Sequence, residues 1–192
     1  MYMYNEAKSL LHIGGETLFS SEPIYTVSFF GHRVISDFSS VESKVEQLIS
    51  TILTHHQHVD FLVGRNGDFD LMVTAAIKRW QSQTHSDACS LIWILPYPTA
   101  ELQSHLSDFE AYYDDIEVCQ ASSQAHPKQA FQIRNREMVE RSDLVIFYVA
   151  HSHGGAYQTL CYARKQGKAL VNKGTEKGVL FKKRKAHLFH MQ

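Results

Sequence analysis

Residues 134–159 read RNREMVERSDLVIFYVAHSHGGAYQT, and this stretch decides the fold. A polar, arginine-bearing helix leads into a wholly apolar run, Leu144 to Val149. The run ends in a small-residue turn, His151-Ser152-His153-Gly154-Gly155, which opens another helix. A short apolar run bounded by turn signals is a strand buried on both faces. Where such a strand turns through glycine into a helix, backbone N–H groups point outward and the helix dipole favours negative charge. Glycine also lets a phosphate approach the backbone closely.

The same alternation extends outward in both directions. Ile24 to Phe30 reads as the first strand, and Ser39 with Glu42 offers a capping box for a helix. That helix carries Val41, Val45, Leu48, Ile49 and Ile52 at helical spacing. Val59 to Val63 is a second strand, followed by a helix over 70–81. Ser90 to Leu95 is a third strand, stopped by Pro96 and Pro98. Thr99 then caps a helix whose Leu102, Leu106, Phe109 and Tyr113 share one stripe. Ile116 to Cys119 is a short strand, 128–141 a helix, and 155–166 a helix closed by Gly167. Lys168 to Asn172 reads as the last strand. Apolar strands alternating with amphipathic helices predict a doubly wound, mostly parallel α/β sheet with helices on both faces, a Rossmann-like fold. Residues 1–23 form an extension with room for one short helix, and 24–173 the domain. Residues 174–192 form a basic tail, with Lys177, Lys182, Lys183, Arg184 and Lys185, expected to be mobile.

Composition narrows the class. The 192 residues suit one domain with one sizeable core, and 44% are hydrophobic. The net charge of −1 argues against a partner chosen by bulk charge, so nucleic acid is not expected. The cysteines, Cys89, Cys119 and Cys161, are three in number and widely spaced, which fits free thiols in a reducing cytoplasm. The N-terminus lacks the basic and apolar regions of a signal peptide, and no run reaches the length of a membrane helix. A cytoplasmic protein without a membrane partner is expected.

In an open parallel sheet, ligands bind beyond the carboxyl ends of the strands. There this sequence places Gly31-His32-Arg33, Gly64-Arg65-Asn66-Gly67 with Asp70, Pro96-Tyr97 with Glu101, and His151 to Gly155. Arg33, Arg65, Arg134 and Arg136 are of the type that clamps phosphate by paired hydrogen bonds. Arg134 shares a helix face with Phe131, Met138 and Arg141, so it is expected to lie against the domain. Asp70 has two readings, helix cap or ribose ligand. His55-His56-x-His58 and His151-x-His153 lack partners at metal-ligand spacing, so no metal or cofactor is implied. Asp108, Glu110, Asp114, Asp115 and Glu117 read as a solvated acidic face, and Cys161 as a packed helix residue.

With these residues in hand, the chain resembles the SLOG superfamily, the Rossmann-like group that includes the SMF/DprA and LOG proteins. It looks most similar to small YpsA-like bacterial SLOG proteins. VSFFGHR at 27–33, LVGRNGDFD at 62–70 and the opening stretch carry the resemblance, which covers roughly Tyr25 to Asn172. It implies a nucleotide-derived ligand whose phosphate sits at Gly154-Gly155, and a homodimer. The ligand-binding set it points to is Gly31, His32, Arg33, Gly64, Arg65, Asn66, Gly67, Asp70, Arg134, Asn135, Gly154, Gly155 and Thr159. LOG enzymes hydrolyse nucleoside monophosphates with an arginine and a PGGxGTxxE motif. Arg134, Gly154 and Gly155 match that pattern, whereas Cys161 stands at the glutamate and Tyr157-Gln158 at the second GT. A thiol cannot do the work of that carboxylate.

The leading expectation is therefore binding or sensing of a nucleotide or nucleotide-derived ligand of the NAD, ADP-ribose or nucleoside-monophosphate type. An N-glycosidic-bond hydrolase is the alternative, with Arg134, Glu101 and Asp70 as its candidate catalytic residues. A further alternative is DprA-like single-stranded DNA binding.

Overall fold

The computed structural model describes residues 23–175 and, as backbone strands, residues 10–13, 16–19 and 179–181. β1 (Leu10–Ile13) and β2 (Glu16–Phe19) pair antiparallel, apart from the main sheet. The described residues of the extension form this strand pair and no helix; residues 1–9, where the expected short helix could also fall, lie outside the described residues.

The main sheet follows the predicted alternation. Its strands are β3 (Tyr25–Gly31), β4 (Val59–Val63), β5 (Cys89–Leu95), β6 (Asp115–Val118), β7 (Leu144–Tyr148), β8 (Ala169–Asn172) and β9 (Val179–Phe181). They lie in the order β6-β5-β4-β3-β7-β8-β9. β3 through β8 are all parallel, and β9 adds an antiparallel edge. β9 falls within the stretch assigned to an irregular tail; the basic residues from Lys182 onward lie outside the described residues.

Helices α1 (Phe38–His55) and α2 (Asp68–Thr84) cover one face, and α6 (Pro127–Arg141) and α7 (Gly154–Lys165) the other. Strand periodicity explains the double cover. In β3, Val27 and Phe29 belong to the α1–α2 core, while Phe30 belongs to the α6–α7 core. The short helices α3 (Ala100–Ser104), α4 (Leu106–Tyr112) and α5 (Gln120–Ser123) fill the connections around β6.

Three local expectations are corrected. Asp37, not Ser39, is the N-cap of α1, its carboxylate accepting from the Ser40 N–H at 3.3 Å. The stripe from Leu102 to Tyr113 is broken at His105, whose φ of −129° ends α3 before α4 begins. The acidic stretch is only partly solvated. Asp114 accepts from the Leu91 N–H at 2.7 Å, and Glu117 accepts two bonds from Arg141 at 2.5 and 2.9 Å.

This topology positions the site. The chain proceeds from β3 to β4, β5 and β6 on one side, then returns to place β7 and β8 on the other. The strand order reverses between β3 and β7, and a crevice opens beyond their carboxyl ends. Gly31-His32-Arg33 leaves one strand there, and the 150–155 turn leaves its neighbour.

Candidate functional site

Glycine sets the width of the crevice. A Cβ at Gly31 would lie 2.2 Å from Phe69 Cγ, so the phenyl ring of the first turn of α2 rests directly on this residue. A Cβ at Gly67 would lie 2.4 Å from the Arg33 Cα. The two loops are laced together at that contact. The Asp68 N–H donates to the Arg33 carbonyl at 2.8 Å, and the Ile35 N–H to the Asp68 carboxylate at 3.1 Å.

Arg134 forms the floor. It lies in the buried stripe of α6 with Ala130 and Met138, and is 4% exposed. Its Nη1 donates to the Ile94 carbonyl at 3.1 Å, while its Nε has no hydrogen-bond partner among the described residues. Asp70 faces it across Gly64. A Cβ on Gly64 would come within 2.7 Å of Asp70 Oδ2 and 2.8 Å of Arg134 Nη1. Burial pushes the Asp70 carboxyl above the usual carboxylate range, against the pull of the Asn66 N–H at 2.9 Å and of Arg134 and Arg33. Burial also lowers Arg134 from its ordinary value, with Asp70 opposing the shift.

The turn after β7 forms the opposite wall. Asn172 clamps its root: the side-chain oxygen accepts from the Val149 N–H at 2.9 Å, and the amide donates to the Val149 carbonyl at 3.0 Å. His153 is the N-cap of α7 but makes no side-chain capping bond, leaving the first N–H groups of the helix to other partners. Gly154 takes φ +86°, a left-handed conformation that suits glycine. Behind the turn, Asn135 donates to the Thr159 hydroxyl at 3.1 Å, and that hydroxyl donates to the Gly155 carbonyl at 2.9 Å. Asn135 Oδ1 is buried and unpaired among the described residues. The Arg134 and Asn135 side chains together give the cavity a polar wall that suits a polar ligand.

The walls enclose a cavity of about 510 Å³, within the range of small-molecule and cofactor sites. Gly31, His32, Arg33, Gly64, Asn66 and Gly67 line it from the first two loops, Asp70, Arg134 and Asn135 from the helices, and Gly154 and Gly155 from the turn. Of the expected set, Arg65 and Thr159 do not line it. Arg65 turns away to Glu101, at 2.6 Å, over the Phe109 ring. Thr159 is buried behind the turn and holds it from within. Glu101 therefore stands outside the cavity, and of the carboxylates weighed for hydrolysis only Asp70 is in its wall. Cys161 is exposed, not packed, and is absent from the lining. Phe131, Gln132 and His151 also line the cavity. For the first two the available signal was helical spacing, since each lies three residues before Arg134 or Asn135.

No group of three or more histidine, cysteine or acidic residues able to hold a metal occurs among the described residues. His58, in the sequence cluster weighed for metal, instead meets the Asp87 carbonyl and the Ser90 hydroxyl, each at 2.9 Å.

His32 carries a pH-dependent link. Its Nε2 accepts from the Ala150 N–H at 2.8 Å, tying the β3 loop to the β7 turn. Burial, then the neighbouring His151 and His153 rings, lower its pKa from the ordinary value. The neutral ring is the form the fold favours. Its contribution is thus fully present above the ordinary histidine range, about 6.5, and is lost as pH falls through the lowered value. Hydrogen-exchange protection at the Ala150 amide should therefore drop between neutral pH and about pH 5, and His32→Phe should remove that dependence. Equal protection at both pH values would refute the link.

No protein-family model matches the chain, and no curated protein matches it. Solved structures do. The X-ray structure of DNA processing protein A (DprA) from Streptococcus pneumoniae superposes with a TM-score of 0.56 at 16% identity, covering 78% of this chain and 50% of that one. DNA processing protein A from Helicobacter pylori, described for its single-stranded DNA binding mode, gives 0.53 at 15% identity, covering 77% and 64%. The chain shares its fold with DNA processing protein A. It spans half to just under two thirds of the length of these neighbours. At the level of the fold, this agrees with the SLOG resemblance read from the sequence.

The comparison corrects the expectation about nucleic acid. Both neighbours process DNA, and one is described by how it binds a single strand, so nucleic acid cannot be set aside as a partner class. Net charge is a poor ground for setting it aside, because a total averages over the whole surface. In the cavity wall Arg33 and Arg134 face the single carboxylate of Asp70, a local excess that a total of −1 conceals.

Proposed function

We propose that the crevice binds one nucleotide unit of a single-stranded nucleic acid, with a phosphate at the Gly154-Gly155 amides. The observation that carries this reading is Arg134: a buried guanidinium with an unpaired Nε, flooring a cleft at the reversal of strand order. The first N–H groups of α7, which no capping side chain takes, and the exposed Arg33 add the anion-binding rim. The fold neighbours supply the polymer: a single-stranded DNA binding mode is known on this fold. The finer likeness to YpsA-like proteins belongs to the same proposal and rests on the motifs at 27–33, 62–70 and 134–159.

Fluorescence anisotropy of a labelled oligothymidine tests the reading. Affinity should fall steeply with salt as phosphate contacts are lost. Arg33→Ala should weaken binding and reduce the salt slope by about one. No binding at low salt would overturn the reading.

One observation favours a second reading, a free nucleotide such as AMP, NAD or ADP-ribose. The cavity, at about 510 Å³, is closer to a small-molecule site than to an extended groove. Competition separates the two: millimolar nucleotide that displaces the oligomer completely, while the oligomer alone binds only weakly, favours the free ligand.

A further inference from the structure

Three imidazole rings form a column at the mouth of the crevice. His32 stacks on His151 with centroids 3.7 Å apart and planes 16° from parallel. His151 stacks on His153 at 3.8 Å and 18°. The rings come from two loops on adjacent strands, so the column exists only in the folded protein. It is braced at its inner end. The edge of His32 meets Tyr148, and its Nε2 is held by the Ala150 N–H. At its outer end it stops: His151 and His153 are exposed, and no further ring contact on His153 occurs among the described residues.

Parallel stacking decides what the column can do. Ring nitrogens in a parallel stack point sideways and do not converge on a point, as metal ligation requires. The shared feature is the π-face. An exposed, braced stack of flat rings with one open end offers a surface to another flat ring. Its position adds a second constraint. His32 and His151 line the cavity together with Gly154 and Gly155, and His153 is the residue immediately before that glycine pair. A ligand bound there by phosphate and carrying an aromatic ring a few bonds away meets the column with that ring.

We propose that the His32–His151–His153 column is a stacking platform for the nucleobase of the bound unit. This deepens the function proposed above and rests on it: Gly154-Gly155 takes the phosphate, and the column takes the base. Every base has a π-face, so the platform is tolerant of sequence. No hydrogen-bond code is assigned to it.

The test compares two labelled oligomers of equal length and charge, one of thymidine and one in which each base is replaced by an abasic tetrahydrofuran spacer. The full chain should bind the thymidine oligomer about tenfold more tightly than the abasic one, the scale of one stacked base. His153→Ala and His151→Ala should each remove most of that preference, and His153→Phe should restore it. His151 and His153 are exposed, so melting curves matched to the parent chain confirm that the fold is intact. Equal affinity of the parent chain for both oligomers would overturn the platform and leave phosphate binding standing. A preference that survives both alanine variants would overturn it as well. Binding of neither oligomer would remove the nucleotide reading and the platform with it.

Discussion

Arg134→Met is expected to cost about 1–3 kcal/mol of folding stability, the scale of leaving a buried polar group without its hydrogen-bond partner. Methionine matches the length of the arginine stem but leaves the Ile94 carbonyl without its donor. It also leaves Asp70 facing an apolar wall across Gly64. With the guanidinium gone, the Asp70 carboxyl, already raised by burial, rises further. The sign of the pH dependence follows. A carboxyl with a raised folded-state pKa costs stability as pH climbs above its unfolded value, about 3.9. The variant should therefore be markedly more stable near pH 5 than near pH 8, by urea unfolding. Asp70→Asn in the Arg134→Met background should recover part of the loss at pH 8, because it removes a charge that has lost its neighbouring guanidinium. If the single variant unfolds at the parent denaturant concentration at both pH values, the buried guanidinium is not what holds the floor.

Gly31→Ala is expected to be nearly as damaging, for a steric reason. The added methyl would lie 2.2, 2.4 and 2.6 Å from three atoms of Phe69. That ring is 1% exposed and packed against Tyr148 at 5.9 Å, so it cannot swing aside. Overpacking of this kind costs about 1–3 kcal/mol, and more where the neighbour is rigid. Phe69→Ala in the same chain removes two of the three atoms that the methyl meets, Cγ and Cδ1. The double variant should then be more stable than the sum of the single effects, a coupling that a double-mutant cycle measures directly. Gly154→Ala makes the instructive contrast. Nothing lies within 4 Å of a Cβ there, so its cost comes only from the left-handed backbone at φ +86°, about 1–2 kcal/mol. Equal effects at the two glycines would contradict this division between crowding and backbone strain.

These residues also show what the sequence made legible. Leu144–Tyr148 and its sister strands are apolar runs bounded by turn residues, and such runs name themselves. The alternation of strand and helix then places their carboxyl ends on one rim without further information. Arg134 was legible because it shares a helical stripe with Met138. Other features depend on distances that no local pattern carries. The hydrophobic stripe runs unbroken from Leu102 to Tyr113, yet the chain breaks at His105, leaving Leu106 45% exposed. Glu101 and Asp70 looked equivalent as carboxylates near the rim. Only the fold shows that Glu101 belongs to Arg65 and that Asp70 faces Arg134. Asn172 gave no signal at all, since a single amide at the end of a strand reads as a turn residue. The histidine column joins residues more than a hundred positions apart; from sequence, His32 belongs to the expected ligand-binding set, whereas His151 and His153 form only a pair without metal-ligand partners. Net charge is a poor guide for a related reason: a total hides a local excess such as Arg33 and Arg134 in the cavity wall.

The central claim is that a phosphate-bearing nucleotide occupies the crevice between β3 and β7. Backbone amide spectra recorded while oligothymidine is added test it most directly. The account predicts the largest shifts at Gly154, Gly155 and Ala156, with smaller ones at His32 and Arg33, saturating together at one affinity. Shifts confined to other surfaces, such as the Arg79–Glu42–Glu46 cluster on the outer face of α1 and α2, or no shift at the Gly154-Gly155 turn at saturation, would contradict it.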